Sequence, residues 1–414
     1  MSESKPFVVS KSLIWQSYLK VKQNGGAAGV DEISLEEFDR NKKKNLYKIW
    51  NRLSSGSYFP PEVKGVEIPK KNGGIRVLGV PTVSDRIAQM AIKMLLEPKL
   101  EPIFDKDSYG YRPGKSAHDA IKVTRKRCWK YNWVLEFDIK GLFDNIPHGL
   151  LMKALKHHTD DKVILLYVKR WLTVPINKDG NSTMRDKGTP QGGVISPLLA
   201  NLFMHYCFDK WVRRNLPNIE FCRYADDGVL HCNSEEEAWQ VKNRLQERLK
   251  ECGLEMHPSK TRIVHCIRGS QKAKSTNIKF DFLGFTFMPR AAKDREGNQF
   301  LSFLPGVSRS SLKSMGQKVK RWKIHLRTEV DLKTLSRQMN PVIRGWINYY
   351  STFYRTALYP LWHLINRYLS KWIRRKFKKV KRQKKNAMHL LGKIANENKS
   401  LFAHWEQGLR PAAG

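Results

Sequence analysis

The stretch Phe221-Cys-Arg-Tyr-Ala-Asp-Asp-Gly-Val-Leu230 sets two adjacent aspartates, Asp226 and Asp227, at a sharp interruption between two apolar, strand-like runs. Side chains alternate faces along an extended strand, so neighbouring carboxylates converge only where the chain turns between them. A hairpin tip provides that turn, and Gly228 just beyond is expected to support it. A bare Asp-Asp pair ordinarily marks a solvated Asx turn. Two carboxylates crowded at a hairpin tip suit instead a hard divalent cation such as Mg²⁺.

The surrounding sequence favours the cation. Trp133-Val-Leu-Glu-Phe-Asp-Ile139 reads as a buried strand with Asp138 near its end. An acid in so apolar a strand is costly to bury unless it meets a cation or a donor. Asp138, Asp226 and Asp227 together would hold two Mg²⁺ ions, the arrangement that stabilises both attacking and leaving oxygens of an in-line phosphoryl displacement. Asp144, six residues beyond Asp138, is a weaker candidate, because Asp commonly caps the turn that follows it. Between the acidic segments lies Gly188-Thr-Pro-Gln-Gly-Gly-Val-Ile-Ser-Pro-Leu-Leu-Ala-Asn-Leu202. Gly192 and Gly193 let backbone come close to a neighbouring group, and Gln191 offers both donor and acceptor. Ser196 and Pro197 read as N-cap and first residue of a helix, with Leu198, Leu199, Leu202, Phe203 and Tyr206 as its core stripe.

The Tyr224–Asp227 motif, the Asp138 segment and the Gly188–Leu202 loop, in this order, resemble the active-site motifs of reverse transcriptases. The resemblance extends over nearly the whole chain. Gly65-Val-Glu-Ile-Pro-Lys-Lys-Asn-Gly-Gly-Ile-Arg-Val-Leu-Gly-Val80 is similar to the fingers hairpin, with Lys70 and Arg76 at the two basic positions that grip a triphosphate. Such a doubly cationic grip suits a highly charged group. Phe143, five residues after Asp138, matches the aromatic gate that excludes a ribose 2′-hydroxyl. Lys260, in Gly253-Leu-Glu-Met-His-Pro-Ser-Lys-Thr261, matches a palm lysine suited to assist pyrophosphate departure. Phe280-Asp-Phe-Leu-Gly-Phe-Thr-Phe287 is similar to the primer-positioning hairpin. Tyr109-Gly-Tyr-Arg-Pro-Gly114 matches a fingers segment in which Arg112 reads as structural or template-contacting.

Composition narrows the partners. The 414 residues exceed one typical core, and 76 Lys and Arg against 38 Asp and Glu leave a net charge of +38. Such a charge points to a large polyanion. A membrane surface is the competing reading, but no apolar run reaches the length of a spanning helix, so no membrane partner is expected. Met1 to Trp15 contains no secretory core, so a cytoplasmic, nucleic-acid-associated protein is expected. The six cysteines form no Cys-x-x-Cys pair, which argues against zinc sites and disulfide frameworks.

The charge concentrates late in the chain: from Leu301 to Asn386 there are 22 Lys and Arg against two acids. Leu312, Met315, Val319, Trp322 and Leu326 recur at helical spacing, and further helices are expected over Leu332–Met339 and Tyr359–Val380. Interleaved aromatics such as Trp346, Tyr350, Trp362 and Trp372 supply rings for a helical core or for stacking. Arg374, Arg375, Lys378 and Lys379 lie in the densest basic run and are the candidate RNA contacts. Asn340-Pro-Val-Ile-Arg-Gly-Trp-Ile-Asn-Tyr-Tyr350 resembles the maturase segment of group II intron-encoded proteins, and Gly29-Val-Asp-Glu-Ile-Ser34 their N-terminal extension, with Glu32 where glycine is common.

These resemblances imply an α+β right-hand polymerase. Residues 1–50 would be an extension of the fingers, and 51–288 fingers and palm with an antiparallel sheet. Residues 300–386 would be an α-helical thumb and maturase domain, and 387–414 a tail with no endonuclease domain. The implied activity is RNA-directed DNA synthesis from deoxynucleoside triphosphates on a primed RNA template, with two Mg²⁺ ions, and binding of the parent intron RNA to assist splicing. A host-adopted relative used in repair or defence, a non-enzymatic splicing factor and a general DNA-binding protein are the alternatives. Oligomeric state is not legible in the sequence.

Overall fold

The computed structural model describes residues 6–69, 73–269, 271, 275–294, 296–377 and 384–412. The chain divides into two compact units, Met1–Ala120 with Val134–Ile263, and Ile121–Trp133 with Val264–Gly414. Among the described residues no helix is long and apolar enough to cross a membrane.

Strands β1 (Val63–Pro69), β2 (Ile75–Val80), β3 (Trp133–Asp138), β4 (Ile176–Lys178), β5 (Asn181–Thr183), β6 (Glu220–Tyr224), β7 (Asp227–Cys232) and β8 (Arg262–His265) fall in the first unit, except for Trp133 of β3 and the last two residues of β8. They form two sheets, ordered β2-β1-β4-β5 and β6-β7-β3-β8. β1 and β2 are the hairpin expected from Gly65–Val80, antiparallel with Ile68 opposite Arg76. β3 is buried at every position except Glu136, as its apolar composition demands. The helix Val83–Leu100 is buried along most of its length, and Thr82 caps it by accepting from the Asp85 amide at 3.1 Å.

The helix after the Gly-rich loop runs from Ser196 to Met204, with Ile195 in the capping position. Ser196 is therefore not the N-cap. Its hydroxyl is drawn into the loop, where it accepts from the Thr189 hydroxyl at 2.7 Å. Leu198, Leu199, Leu202 and Phe203 are buried as expected. Tyr206 falls in a π-helical turn, His205–Asp209, that widens the end of this helix.

The second unit carries β9 (Phe280–Phe282), β10 (Phe285–Lys293) and β11 (Gln299–Val307), ordered β11-β10-β9. β9 and β10 meet at a two-residue turn where Leu283 and Gly284 have φ of 52° and 81°. Helices Arg309–Arg321, Leu332–Tyr354, Tyr359–Lys376 and Lys384–Glu397 follow. Their core includes Val319, Ile343, Trp362, Trp372, Leu391 and Trp405.

Helical spacing through Leu326 overshoots. The helix stops at Arg321, Lys323 turns left-handed at φ 48°, and Leu326 sits half-exposed in a 3₁₀ turn. The boundary expected at Met339 is absent, because the helix Leu332–Tyr354 continues through Pro341. Proline removes one helical hydrogen bond. Tertiary bonds anchor the same turn: the Asn340 side chain donates to Leu401 O and accepts from Ala403 N, both at 2.9 Å. The last long basic helix ends at Lys376, and its expected end at Val380 lies outside the described residues.

Candidate active site

The tip joining β6 to β7 is as tight as the sequence requires, with Tyr224 opposite Asp227 and only Ala225 and Asp226 between them. The bend comes from Ala225, which adopts a left-handed φ of 58°. Gly228, expected to support the turn, lies inside β7 and serves close packing. A Cβ there would fall 2.3 Å from the Phe137 ring, so glycine lets β7 lie against β3. Asp227 is thereby brought beside Asp138.

The tip is held from behind by a buried ion pair. Arg223 donates to both oxygens of Asp209 at 2.7 and 2.6 Å, and also to Ala225 O at 3.1 Å. Neither side chain is exposed. Tyr109 N donates to Arg223 O at 2.9 Å, laying the Tyr109–Gly114 segment along β6. Gly110 touches the tip so closely that a Cβ would come within 2.6 Å of Ala225 N.

Negative charge accumulates at this point. Burial pushes the Asp227 carboxyl up to about 8, reinforced by the Asp226 charge and by the hydrogen-bonded Asp138. Burial also raises Asp226, and the Asp138 charge adds to it. Such crowding is what a hard cation relieves. Lys260 Nζ donates to Asp138 Oδ2 at 2.8 Å and partly neutralises the cluster. Among the described residues no group of three or more His, Cys, Asp or Glu side chains is placed to hold a metal ion as it stands. The donor set nevertheless fits Mg²⁺: hard carboxylate oxygens, crowded and partly buried.

A cavity of about 410 Å³ is lined by Arg76, Lys93, Tyr111, Phe143, Gln191, Gly192 and Gly193, and its Tyr111 lies within reach of the charges of Asp226 and Asp227. Phe143 is buried, in a T-shaped contact with the Tyr111 ring at a centroid distance of 6.4 Å. Gln191 is bonded at both ends of its amide. Its oxygen accepts from Arg76 Nε, and its nitrogen donates to Asp144 Oδ2 at 2.8 Å. The loop backbone is equally constrained, with Thr189 N donating to Phe143 O at 2.7 Å and Gly79 N to Gln191 O at 2.6 Å.

A profile described as Reverse transcriptase (RNA-dependent DNA polymerase) matches residues 68–287. One described as Group II intron, maturase-specific domain matches 312–391. The chain belongs to the group II intron reverse transcriptase and maturase family. It is 34% identical over 209 residues to the group II intron-encoded protein LtrA of Lactococcus lactis subsp. cremoris, which is 50% of this chain and 34% of that protein. It is 32% identical over 307 residues to the protein YkfC of Escherichia coli K12, 64% of this chain and 77% of YkfC. A telomerase structure from Candida albicans, in complex with a fragment of telomeric RNA, superimposes with a TM-score of 0.47 at 15% identity. That overlay covers 90% of this chain and 67% of the other.

Against the family's motifs, the structure brings together Asp138, Asp226, Asp227 and Lys260, and separately Arg76, Phe143 and Gln191 around the cavity. Lys70, Lys378 and Lys379 lie outside the described residues. Arg374 and Arg375 fall in the last turn of the helix Tyr359–Lys376, where Arg375 donates to His325 O at 3.4 Å. Arg112 is structural. Its guanidinium binds Glu101 Oε1 at 2.9 and 2.7 Å and the carbonyls of Asp105 and Ser108 at 2.6 and 2.8 Å, which closes its own loop. Sequence reasoning missed Tyr111 and Lys93 as cavity residues. Tyr111 had a signal in its neighbour, since a glycine at 110 marks a place where backbone approaches backbone.

Proposed function

We propose that this chain is an RNA-directed DNA polymerase that also binds intron RNA. The carrying observation is the pair Asp226 and Asp227 at a hairpin tip packed against Asp138, with a cavity beside them walled by Arg76, Phe143 and Gln191. Asp138, Asp226 and Asp227 would hold two Mg²⁺ ions. Bound there, the ions would stabilise the attacking primer 3′-oxygen and the leaving pyrophosphate oxygen.

The protein side chains supply the rest. Arg76, a planar and permanently charged fork, suits the triphosphate of a deoxynucleotide, and Lys70 is the second cation of that grip. Gln191 and the glycines after it border the position of the nascent base pair. Phe143 places a ring where a ribose 2′-hydroxyl would intrude. Lys260 stands within reach of the carboxylates, suited to deliver a proton to the departing pyrophosphate. The basic, maturase-like segment supports binding of structured RNA, the parent intron being the favoured partner.

Primer extension on an RNA template tests the reading. Asp226→Ala with Asp227→Ala is expected to abolish cDNA synthesis while leaving RNA affinity within about twofold, because these carboxylates serve phosphoryl transfer and not phosphate contact. Undiminished extension by the double variant would overturn the site assignment.

A further inference from the structure

Asp144 has no part in the chemistry above, and the capping role the sequence suggested does not account for its side chain. The turn bond at this residue is made by backbone alone, Asp144 N to Gly141 O at 3.0 Å. The carboxylate points its Oδ2 to Gln191 Nε2 instead, across 47 residues of sequence.

The direction of this bond matters because a glutamine amide is ambivalent. Rotated by half a turn, it exchanges a donor for an acceptor at each end. A carboxylate only accepts, so Asp144 forces the NH₂ group toward itself and the oxygen toward Arg76. A guanidinium only donates, so Arg76 reads the same orientation from the other side. The result is a polarised chain, Arg76 to Gln191 to Asp144, along the wall of the cavity. Arg76 spends its Nε on Gln191, which leaves the two terminal nitrogens of the fork for phosphate oxygens. The residue before Asp144 is Phe143, whose carbonyl accepts from Thr189 N at 2.7 Å and fixes the same loop. A Cβ at Gly188 would fall 2.7 Å from the carbonyl oxygens of both Phe143 and Asp144, so loop and turn are in close contact.

We propose that Asp144 is a positioning residue of the nucleotide site. By fixing the amide of Gln191 it holds the Arg76 guanidinium at the cavity wall, ready for the triphosphate of the incoming deoxynucleotide. This rests on the polymerase reading and adds a third member to the grip, one that never touches the nucleotide.

The test is steady-state primer extension with a deoxynucleoside triphosphate varied, in a double-mutant cycle with Gln191. Asp144→Ala is expected to raise KM for the nucleotide by roughly tenfold, the scale of one hydrogen bond in a charge-assisted chain, and to lower kcat by much less. In a Gln191→Ala background the same substitution is expected to change KM less than about twofold, because the two act as one unit. Asp144→Asn keeps an acceptor oxygen and is expected to fall between parent and Asp144→Ala. A thermal melt of each variant accompanies the kinetics. An unchanged KM in Asp144→Ala, or an equal rise with and without Gln191, would overturn the proposal while leaving an active polymerase. A parent chain that extends no primer would remove the polymerase reading and this proposal with it.

Discussion

At Asp227, burial, the adjacent Asp226 and the facing Asp138 all resist ionisation, and the carboxyl is held near 8. The two acidic segments were legible in the sequence because crowded acids in apolar strands have few structural uses. What the sequence hid was the geometry that crowds them. Gly228 looks like a turn residue, yet it is the partner of Phe137 across two strands, and only the sheet pairing reveals that. The bend falls on Ala225, a residue without intrinsic preference for the left-handed region, imposed there by the two-residue tip and the carbonyl bond from Arg223. Phe143 carries the prediction at this scale. Its ring walls the cavity, so Phe143→Ala is expected to reduce discrimination against ribonucleotides by roughly 10- to 100-fold, the range over which an apolar pocket can reject an added hydroxyl. Competition kinetics with matched deoxy- and ribonucleotides measure it, and undiminished selectivity would return the ring to simple packing.

Elements rather than single residues hold the Gly-rich loop in place. The helix Val83–Leu100 supports it from below through Asp85, whose carboxylate accepts from Trp171 Nε1 at 2.7 Å, Gln89 Nε2 at 2.9 Å and Tyr58 OH at 3.1 Å. Gln89 Oε1 in turn accepts from Ile195 N at 3.3 Å, at the end of the Gly-rich loop. Nothing in the periodicity of this helix marks Asp85, because two of its three partners come from positions 58 and 171. The Gly-rich loop was legible by its own composition, whereas its support was not. Burial raises the Asp85 carboxyl from 3.8 to about 6, against the three donors. A folded-state value above the unfolded one means the folded chain binds the proton more tightly. Its contribution to stability is therefore complete below about pH 4 and lost as pH rises through about 6. The loss amounts to roughly 3 kcal/mol for a shift of about two units. Asp85→Asn does not titrate, so denaturant unfolding of parent and variant between pH 4 and 7 isolates the effect. The parent's stability relative to the variant is expected to fall by about that amount across the window, and parallel curves would place the proton elsewhere.

Across the whole molecule, the charge of +38 favours a polyanionic partner and the crowded carboxylates favour a cation, and the two signals are written in different parts of the chain. In the carboxy-terminal unit the interleaved rings proved to be mainly core: Trp362 and Trp372 are buried, and Tyr349, Tyr350 and Phe353 pack around Phe285. That leaves few of them for stacking, so in the proposed RNA binding the basic side chains would carry most of the affinity. Phosphate contacts release condensed counterions, so each one contributes to the slope of log affinity against log salt, about 0.7 for single strands and 0.9 for duplex. Replacing Arg374, Arg375, Lys378 and Lys379 with Gln is expected to weaken binding to structured RNA and to flatten that slope by about three units if all four touch phosphate. Extension at saturating primer-template should change far less, since these residues are remote in sequence from the carboxylates. RNA affinity over a salt series, extension on a pre-annealed duplex and a thermal melt separate the two roles. An unchanged slope with a normal melt would mean that the basic run is solvated surface, and the proposed binding of intron RNA would lose its main physical support.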